Sequence, residues 1–402
     1  MTISSKQSVR HLKNKMTDDS IRYPFLDLKA ADACYRDRLV DAAARVIAGG
    51  HYIGGEENEA FERDLAGLCK APHAVGVSNG LDALRLIFIA LINLGRLKKG
   101  DAVIVPANTY IASVLAVTDA GLIPVLVDPD PATMNLSAKG IEQSMTDCVR
   151  AVLPVHLYGR VCWDNMMAKV VRDNGLIVVE DAAQSIGARA RCRGLFESDM
   201  AGALGHAGAF SFYPTKNIGA LGDAGAVVTH DAELAAAVSA LANYGSDRRY
   251  HNIYAGFNCR LDPIQAAMLR VKMTDLDDIC RRRRLRADAY SRNISNPLVE
   301  TPLRPECASE CVWHQYVIRV RVGMRDTLRQ YLLEHGVVTD IHYPVPTHRQ
   351  PCYANLPHGR LPITEKMASE IVSLPIGDPL DVDDIMEISG IINSFFTQHT
   401  NG

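Results

Sequence analysis

Three short segments collect polar side chains and glycines at the ends of apolar runs, and each has a possible chemistry. In Val77-Ser78-Asn79-Gly80-Leu81-Asp82-Ala83-Leu84 a small polar turn leads into a helix. The free N–H groups at such a start can hold a phosphate, although any capped helix has the same look. In Val178-Val179-Glu180-Asp181-Ala182-Ala183-Gln184-Ser185 two acids stand at the end of a buried strand. An Asp there either caps the next helix or pairs with a buried cation such as a protonated pyridine ring. In Phe210-Ser211-Phe212-Tyr213-Pro214-Thr215-Lys216-Asn217-Ile218-Gly219 a lysine follows a strand and a Pro turn, with Gly219, Gly222 and Gly225 crowding the far side. A lysine on such a loop usually points at water. In a partly desolvated pocket its pKa falls and it becomes an amine nucleophile able to form a Schiff base. A helix N-terminus for phosphate, an Asp for a ring nitrogen and a Lys for an imine, in the order 80, 181 and 216, are together what pyridoxal phosphate requires.

These segments must be held by something, and the chain between residues 70 and 230 has the texture of an α/β layer. Ala102–Pro106, Ile123–Val127, Ala151–Pro154, Leu176–Glu180, Ala209–Phe212 and Gly225–Thr229 are continuous apolar runs, as expected of strands buried on both faces of a sheet between helices. Ile111–Ala120, Ala138–Met145 and Met166–Asn174 are long enough to be the crossover helices. Ligands of such sheets bind at the carboxyl ends of the strands, where the three segments fall.

Beyond 230, Asp231–Asn243 reads as an Ala-rich helix capped by Asp231, and Asp262-Pro263 opens another running toward Leu276. Arg281–Arg284 with Arg286 lie on what reads as its continuation, a solvated face or subunit rim. Val312–Val322, Met324–His335 and Asp383–Phe395 read as strand, helix and helix. The expected division is a flexible extension over 1–20, a large domain over 21–270 and a small α+β domain over 271–402.

Composition narrows the function class. Of 402 residues 48% are hydrophobic and 22% charged, the mixture of a globular protein, and a formal net charge of −3 gives no global basic field for nucleic acid. The ten cysteines include no CxxC pair and no tight His/Cys cluster, so neither a metal site nor a redox motif is expected. Residues 1–20 lack the apolar stretch of a signal peptide, and the apolar run Leu81–Leu94 is short and carries Asp82, Arg85 and Asn93. A soluble, cytoplasmic protein is expected. No GxGxxG follows the first strand, which argues against a dinucleotide-binding enzyme.

With those three segments aligned, the sequence resembles the sugar-nucleotide aminotransferases of the DegT/StrS type, pyridoxal-phosphate enzymes with the aspartate-aminotransferase fold (fold type I). The resemblance runs from about Tyr23 to the C-terminus. Besides the three segments it includes Pro24-Phe25-Leu26-Asp27-Leu28, Gly50-His51-Tyr52-Ile53-Gly54-Gly55, Pro106-Ala107-Asn108-Thr109-Tyr110, Pro154-Val155-His156-Leu157-Tyr158-Gly159, Gly256-Phe257-Asn258-Cys259-Arg260-Leu261-Asp262 and His342-Tyr343-Pro344. It implies a mostly parallel sheet between helices, a smaller C-terminal α+β domain, and pyridoxal 5'-phosphate as cofactor.

The resemblance also assigns residues. It makes Lys216 the Schiff-base lysine and proton carrier, Asp181 the partner of the pyridinium nitrogen, Tyr110 the ring stacked on the cofactor and Gln184 the partner of its phenolic oxygen. The N–H groups of Gly80 and Leu81, the Ser211 hydroxyl and Asn258 from a neighbouring subunit would hold the phosphate, which implies a homodimer. Leu81 stands where the family frequently has Thr; the backbone donor survives, and a side-chain hydroxyl contact is put in question. Relatives that dehydrate sugars carry His in place of the Schiff-base Lys, so Lys216 favours transamination, with L-glutamate as donor and a keto-sugar nucleotide as acceptor. The sequence looks most like the branch that makes 3-amino-3,6-dideoxyhexoses from dTDP-3-keto-6-deoxyhexoses, and Tyr213 and His342 fall where that branch places groups near the hexose. Alternatives are a 4-keto sugar nucleotide, a cyclitol ketone, an eight-carbon keto-sugar acid, or a non-catalytic regulator that binds the cofactor.

Overall fold

The structure is a computed structural model that describes residues 21–321 and 323–399. The expected extension over 1–20 lies outside the described residues. Seven strands form the main sheet: β1 (His73–Val77), β2 (Ala102–Pro106), β3 (Ile123–Val127), β4 (Val149–Val152), β5 (Ile177–Asp181), β6 (Ala207–Ser211) and β7 (Gly225–Thr229), in the order β1-β7-β6-β5-β4-β2-β3. Only β7 runs against the rest, pairing antiparallel with both β1 and β6.

The apolar runs form strands because both faces are covered. Val103 and Val105 pack into a layer with Leu84, Val114, Leu234 and Val238, which come from helices α1 (Gly80–Asn93), α2 (Ile111–Asp119) and α3 (Ala232–Ala242). Ile104, between them, packs on the opposite side with Met167 and Val171. Neighbouring residues of a strand face opposite ways, so a strand with two apolar faces has no polar alternation to display. Ala102–Pro106, Ile123–Val127 and Gly225–Thr229 occupy the expected positions, whereas the strand expected over Ala151–Pro154 starts at Val149. The strand His73–Val77 carries no expectation from the sequence. Its first four residues are half-buried, and His73 and Gly76 break the apolar run.

Two expectations for the C-terminal third are corrected. The helix that Pro263 opens ends at Met273, and a separate helix, α4 (Leu276–Asn293), carries the arginines. Nor is the cluster wholly a solvated face: Arg281 is exposed, and Arg282 and Arg284 are half-buried. Arg283 and Arg286 are buried; Arg283 donates to the carbonyls of Trp313 and His314, and Arg286 donates to Ile376 O and pairs with Asp378. Guanidinium groups present several donors in a fixed fork, which suits them to closing buried carbonyls that no strand satisfies.

The C-terminal part has its own antiparallel sheet of β8 (Val299–Glu300), β9 (Tyr316–Val320) and β10 (Ile371–Leu374). Its core contains Tyr290, Trp313, Tyr316, Leu328 and Phe395, together with Tyr23 from the far end of the chain. Asp128, just past β3, accepts from the N–H groups of Ile363 and Thr364 and so caps a helix of this part from the main sheet. Among the described residues no helix is long and apolar enough to cross a membrane.

Candidate active site

The carboxyl ends of β1, β2, β5 and β6 and the amino end of β7 lie on one edge of the sheet, because β7 alone is reversed. Gly225 opens β7 between Val77 of β1 and Ser211 of β6. A Cβ on Gly225 would come within 2.4 Å of the Asn79 backbone, and one on Gly80 within 2.7 Å of Ser211 Cβ. Glycine at both positions lets the start of α1 close onto the end of β6. Asn79 caps α1, its Oδ1 accepting from Asp82 N–H at 2.9 Å. The N–H groups of Gly80 and Leu81 then have no acceptor within the helix, as first-turn donors never do. Asp82 does not cancel the positive end of the helix outright, since its carboxylate is engaged by Asn79 Nδ2 at 3.0 Å and Arg85 at 2.5 Å.

Asp181 ends β5 and is buried. Its Oδ2 accepts from Ser113 Oγ at 2.7 Å and its Oδ1 from Ala183 N–H at 3.1 Å. Thr109 Oγ1 lies 2.8 Å from Ser113 Oγ and extends the chain. Lys216 stands beyond β6 on a turn closed by its own N–H donating to Tyr213 O at 2.8 Å. Burial pushes the Lys216 pKa down to about 8, against the pull of the Asp181 carboxylate in the other direction.

Gln184 is oriented by two contacts. Its Oε1 accepts from Tyr158 N–H at 2.6 Å, which turns Nε2 toward Tyr343 Oη at 3.1 Å. Tyr343 is buried enough to push its phenol pKa up, and its ring centre lies 5.0 Å from that of Tyr110. Tyr110 is itself 53% exposed at the start of α2. His342 stacks on Phe25 and pairs through Nδ1 with Ser373 Oγ at 2.8 Å; burial, with the Lys216 charge, lowers its pKa while Asp340 pulls it up. Tyr213 is exposed on the Lys216 turn. Asn258 is exposed and bridges Asn243, on the stretch whose Cys259 O accepts from Ser78 N–H beside β1.

The structure therefore brings Gly80, Leu81 and Ser211 together in one cradle and sets Asp181 within electrostatic reach of Lys216. Sequence reasoning passed over four neighbours: Ser113 against Asp181, Tyr343 against Gln184, and Asn217 and His314 beside Lys216. Tyr343 stands in the quoted His-Tyr-Pro motif. Ser113 lies in an apolar helix and His314 far along the chain, and nothing in their spacing signals a site.

The donor set fits pyridoxal phosphate: orphan helix N–H groups with a hydroxyl for the phosphate, a buried carboxylate for the ring nitrogen, and an amine of depressed basicity.

Comparison with known proteins gives the same answer. The DegT/DnrJ/EryC1/StrS aminotransferase family profile matches residues 33–393. A dTDP-3-amino-3,6-dideoxy-alpha-D-galactopyranose transaminase of Aneurinibacillus thermoaerophilus is 42% identical over 372 residues, 92% of this chain and 99% of that protein. Among solved structures, DesV of S. venezuelae superposes with a TM-score of 0.86 at 42% identity, over 93% of this chain and 98% of the other. NtdA of Bacillus subtilis, solved with bound cofactor PMP, gives 0.82 at 28% identity, over 95% and 91%.

Proposed function

The chain belongs to the DegT/DnrJ/EryC1/StrS aminotransferase family and is a pyridoxal-phosphate-dependent aminotransferase, and from that premise we propose that it aminates a keto-sugar nucleotide. The acceptor in this reading is a dTDP-3-keto-6-deoxyhexose, which leaves as the 3-amino-3,6-dideoxyhexose, and L-glutamate is the amino donor. The observation that carries the catalytic part is a desolvated Lys216 facing Asp181 across the ends of neighbouring strands. The choice of acceptor is supported by the name of the A. thermoaerophilus relative.

When bound, pyridoxal phosphate supplies the electron sink that lets an amino group leave one carbon and join another. The protein supplies placement and proton handling. Gly80 and Leu81 N–H and Ser211 Oγ would hold the phosphate, and Asn258 of a second copy would complete that cradle. Asp181, held by Ser113 and Ala183, would keep a proton at the ring nitrogen through its charge. Gln184 Nε2 would donate to the phenolic oxygen, and Tyr110 would cover the ring face and exclude water. The Lys216 amine, its basicity lowered by burial, would take the proton from the substrate carbon and pass it on across the site. Tyr213 and His342 contact the hexose.

Two further parts of the reading are the division into domains over 21–270 and 271–402 and a cytoplasmic homodimer. A C-terminal core gathered from residues 287–395, with Tyr23 joining it from the other part, supports the first, and the exposure of Asn258 and Tyr110 in the single chain is consistent with a dimer.

An absorbance titration tests the function. The purified protein should show a visible band that L-glutamate converts to the near-ultraviolet form of pyridoxamine phosphate. Adding a dTDP-3-keto-6-deoxyhexose should restore it. If only a 4-keto sugar nucleotide, a cyclitol ketone or an eight-carbon keto-sugar acid restores the band, the acceptor assignment is wrong.

A further inference from the structure

His342 is held at three points. Its carbonyl accepts from Tyr158 Oη at 2.5 Å, its ring stacks on Phe25 with centres 5.7 Å apart and planes 28° from parallel, and its Nδ1 lies 2.8 Å from Ser373 Oγ. Ser373 belongs to β10. Its N–H donates to Asp340 O at 2.8 Å and its carbonyl accepts from Asp340 N–H at 3.1 Å, so the stretch leading to His342 is paired with the strand that carries its partner.

The direction of the Ser373 hydrogen bond follows from burial. Ser373 is 0% exposed, and among the described residues its hydroxyl has no partner besides His342. A buried O–H with no acceptor bears the full cost of its lost hydration, so the hydroxyl donates and Nδ1 accepts. A ring nitrogen that accepts carries no hydrogen, which places the hydrogen of the ring on Nε2. Burial, with the charge of Lys216, lowers the His342 pKa against the pull of Asp340 and keeps the ring neutral at pH 7. Among the described residues nothing hydrogen-bonds Nε2 of this half-buried ring.

We propose that Ser373 is a positioning residue that fixes His342 as a neutral imidazole with its hydrogen on Nε2, so that His342 meets the acceptor sugar as a hydrogen-bond donor only. The part that concerns the sugar rests on the reading of His342 given above. A ring of that form takes an oxygen lone pair of the hexose and has none of its own to offer at Nε2. The stack on Phe25 holds the ring plane. The titratable and charged groups that face the ring are Asp340 on its own stretch, Lys216 on the turn after β6, and Tyr343, whose ring meets it edge-on at 5.5 Å.

Magic-angle-spinning NMR of the full-length holoenzyme with 15N-labelled histidine reads the tautomer, and the spectrum of His342→Gln identifies the His342 signals by difference. Wild type should show a bare, pyridine-type Nδ1 and a protonated, pyrrole-type Nε2, unchanged from about pH 7 to 9. Ser373→Ala should leave a mixture of the two tautomers, and Ser373→Thr, which keeps the hydroxyl, should restore the single form. In steady state Ser373→Ala should raise the KM of the keto-sugar nucleotide by roughly fivefold with kcat within about twofold, and Ser373→Thr should reverse the rise. Should Ser373→Ala not fold, the wild-type spectrum decides. A hydrogen on Nδ1 in wild type, or a pure Nε2–H form that persists in Ser373→Ala, would overturn the role of Ser373. Adding a dTDP-3-keto-6-deoxyhexose should move the Nε2 signal. The expected tautomer with an Nε2 signal that stays in place on that addition would instead overturn the placement of the hexose against His342.

Discussion

Glu180 and Asp181 are neighbours at the end of one strand, and they have opposite fates. Glu180 is 0% exposed and every lone pair of its carboxylate is used. Oε1 accepts from the N–H groups of Leu204 and Gly205 at 2.7 Å, and Oε2 from Gly202 N–H and His156 Nε2 at 2.8 Å. His156 can serve as that donor because its Nδ1 accepts from Cys162 N–H at 3.2 Å. Asp181, on the other face, has one partner on each oxygen and capacity left over. A carboxylate saturated by backbone donors is architecture, since it has nothing left to offer a ligand. A buried carboxylate with an unused lone pair beside a desolvated amine is placed for chemistry.

That contrast can be broken by mutation, and the largest effect belongs to the amine itself. Lys216→Ala should reduce turnover by roughly 10⁴-fold or more while the protein stays folded, measured by steady-state rates alongside circular dichroism. Turnover within tenfold of wild type would remove Lys216 from the mechanism.

The paired acids come next, with opposite phenotypes. Asp181→Asn should cost roughly 10²-fold or more in turnover and little stability, because a neutral amide cannot hold the ring-nitrogen proton yet still accepts one hydrogen bond. Glu180→Gln should cost about 3–5 kcal/mol of stability, since an amide NH₂ is forced against backbone donors, with the rate per folded molecule little changed. Denaturant titration and active-site-normalised rates read the two quantities separately. The same phenotype from both substitutions would erase the distinction.

Stability against pH sharpens the picture of Lys216. An unfolded lysine titrates near 10.5 and this one near 8 in the fold. Its folded pKa is depressed, so the unfolded chain binds more protons between those values and stability rises with pH across that window. Below about 8 both states carry the charge and the penalty of burying it is complete. Cofactor-free Lys216→Met should therefore be the more stable protein by roughly 2–3 kcal/mol at neutral pH, and the gap should close by pH 10.5. A gap that is constant with pH would mean that the charge plays no part in it.

The smallest effect should come from Ser113→Ala. Losing one hydrogen bond to Asp181 is worth about 1 kcal/mol and should lower turnover less than tenfold. A loss as large as that of Asp181→Asn would mean that Ser113 does more than hold the carboxylate.

The chain order of Gly80, Asp181 and Lys216, the apolar strands between them and the resemblance to sugar-nucleotide aminotransferases were all legible in the residues, because pyridoxal phosphate demands chemically distinct groups and buried strands demand continuous apolar runs. Sequence alone also identified Asp231 as a helix cap, an interaction that closes within three residues. Only the tertiary structure decided which of two adjacent acids is free, that Arg283 and Arg286 are buried anchors, and that Ser113, His314 and Tyr343 stand at the site. Each of those outcomes depends on partners 22 to 159 residues away in the chain, such as Glu180 on Gly202, Ser113 on Asp181, Gln184 on Tyr343 and His314 on Asn217. Local residue pattern carries no record of such contacts, since the burial that gives a side chain its charge state and its hydrogen-bond partners is created when distant segments pack.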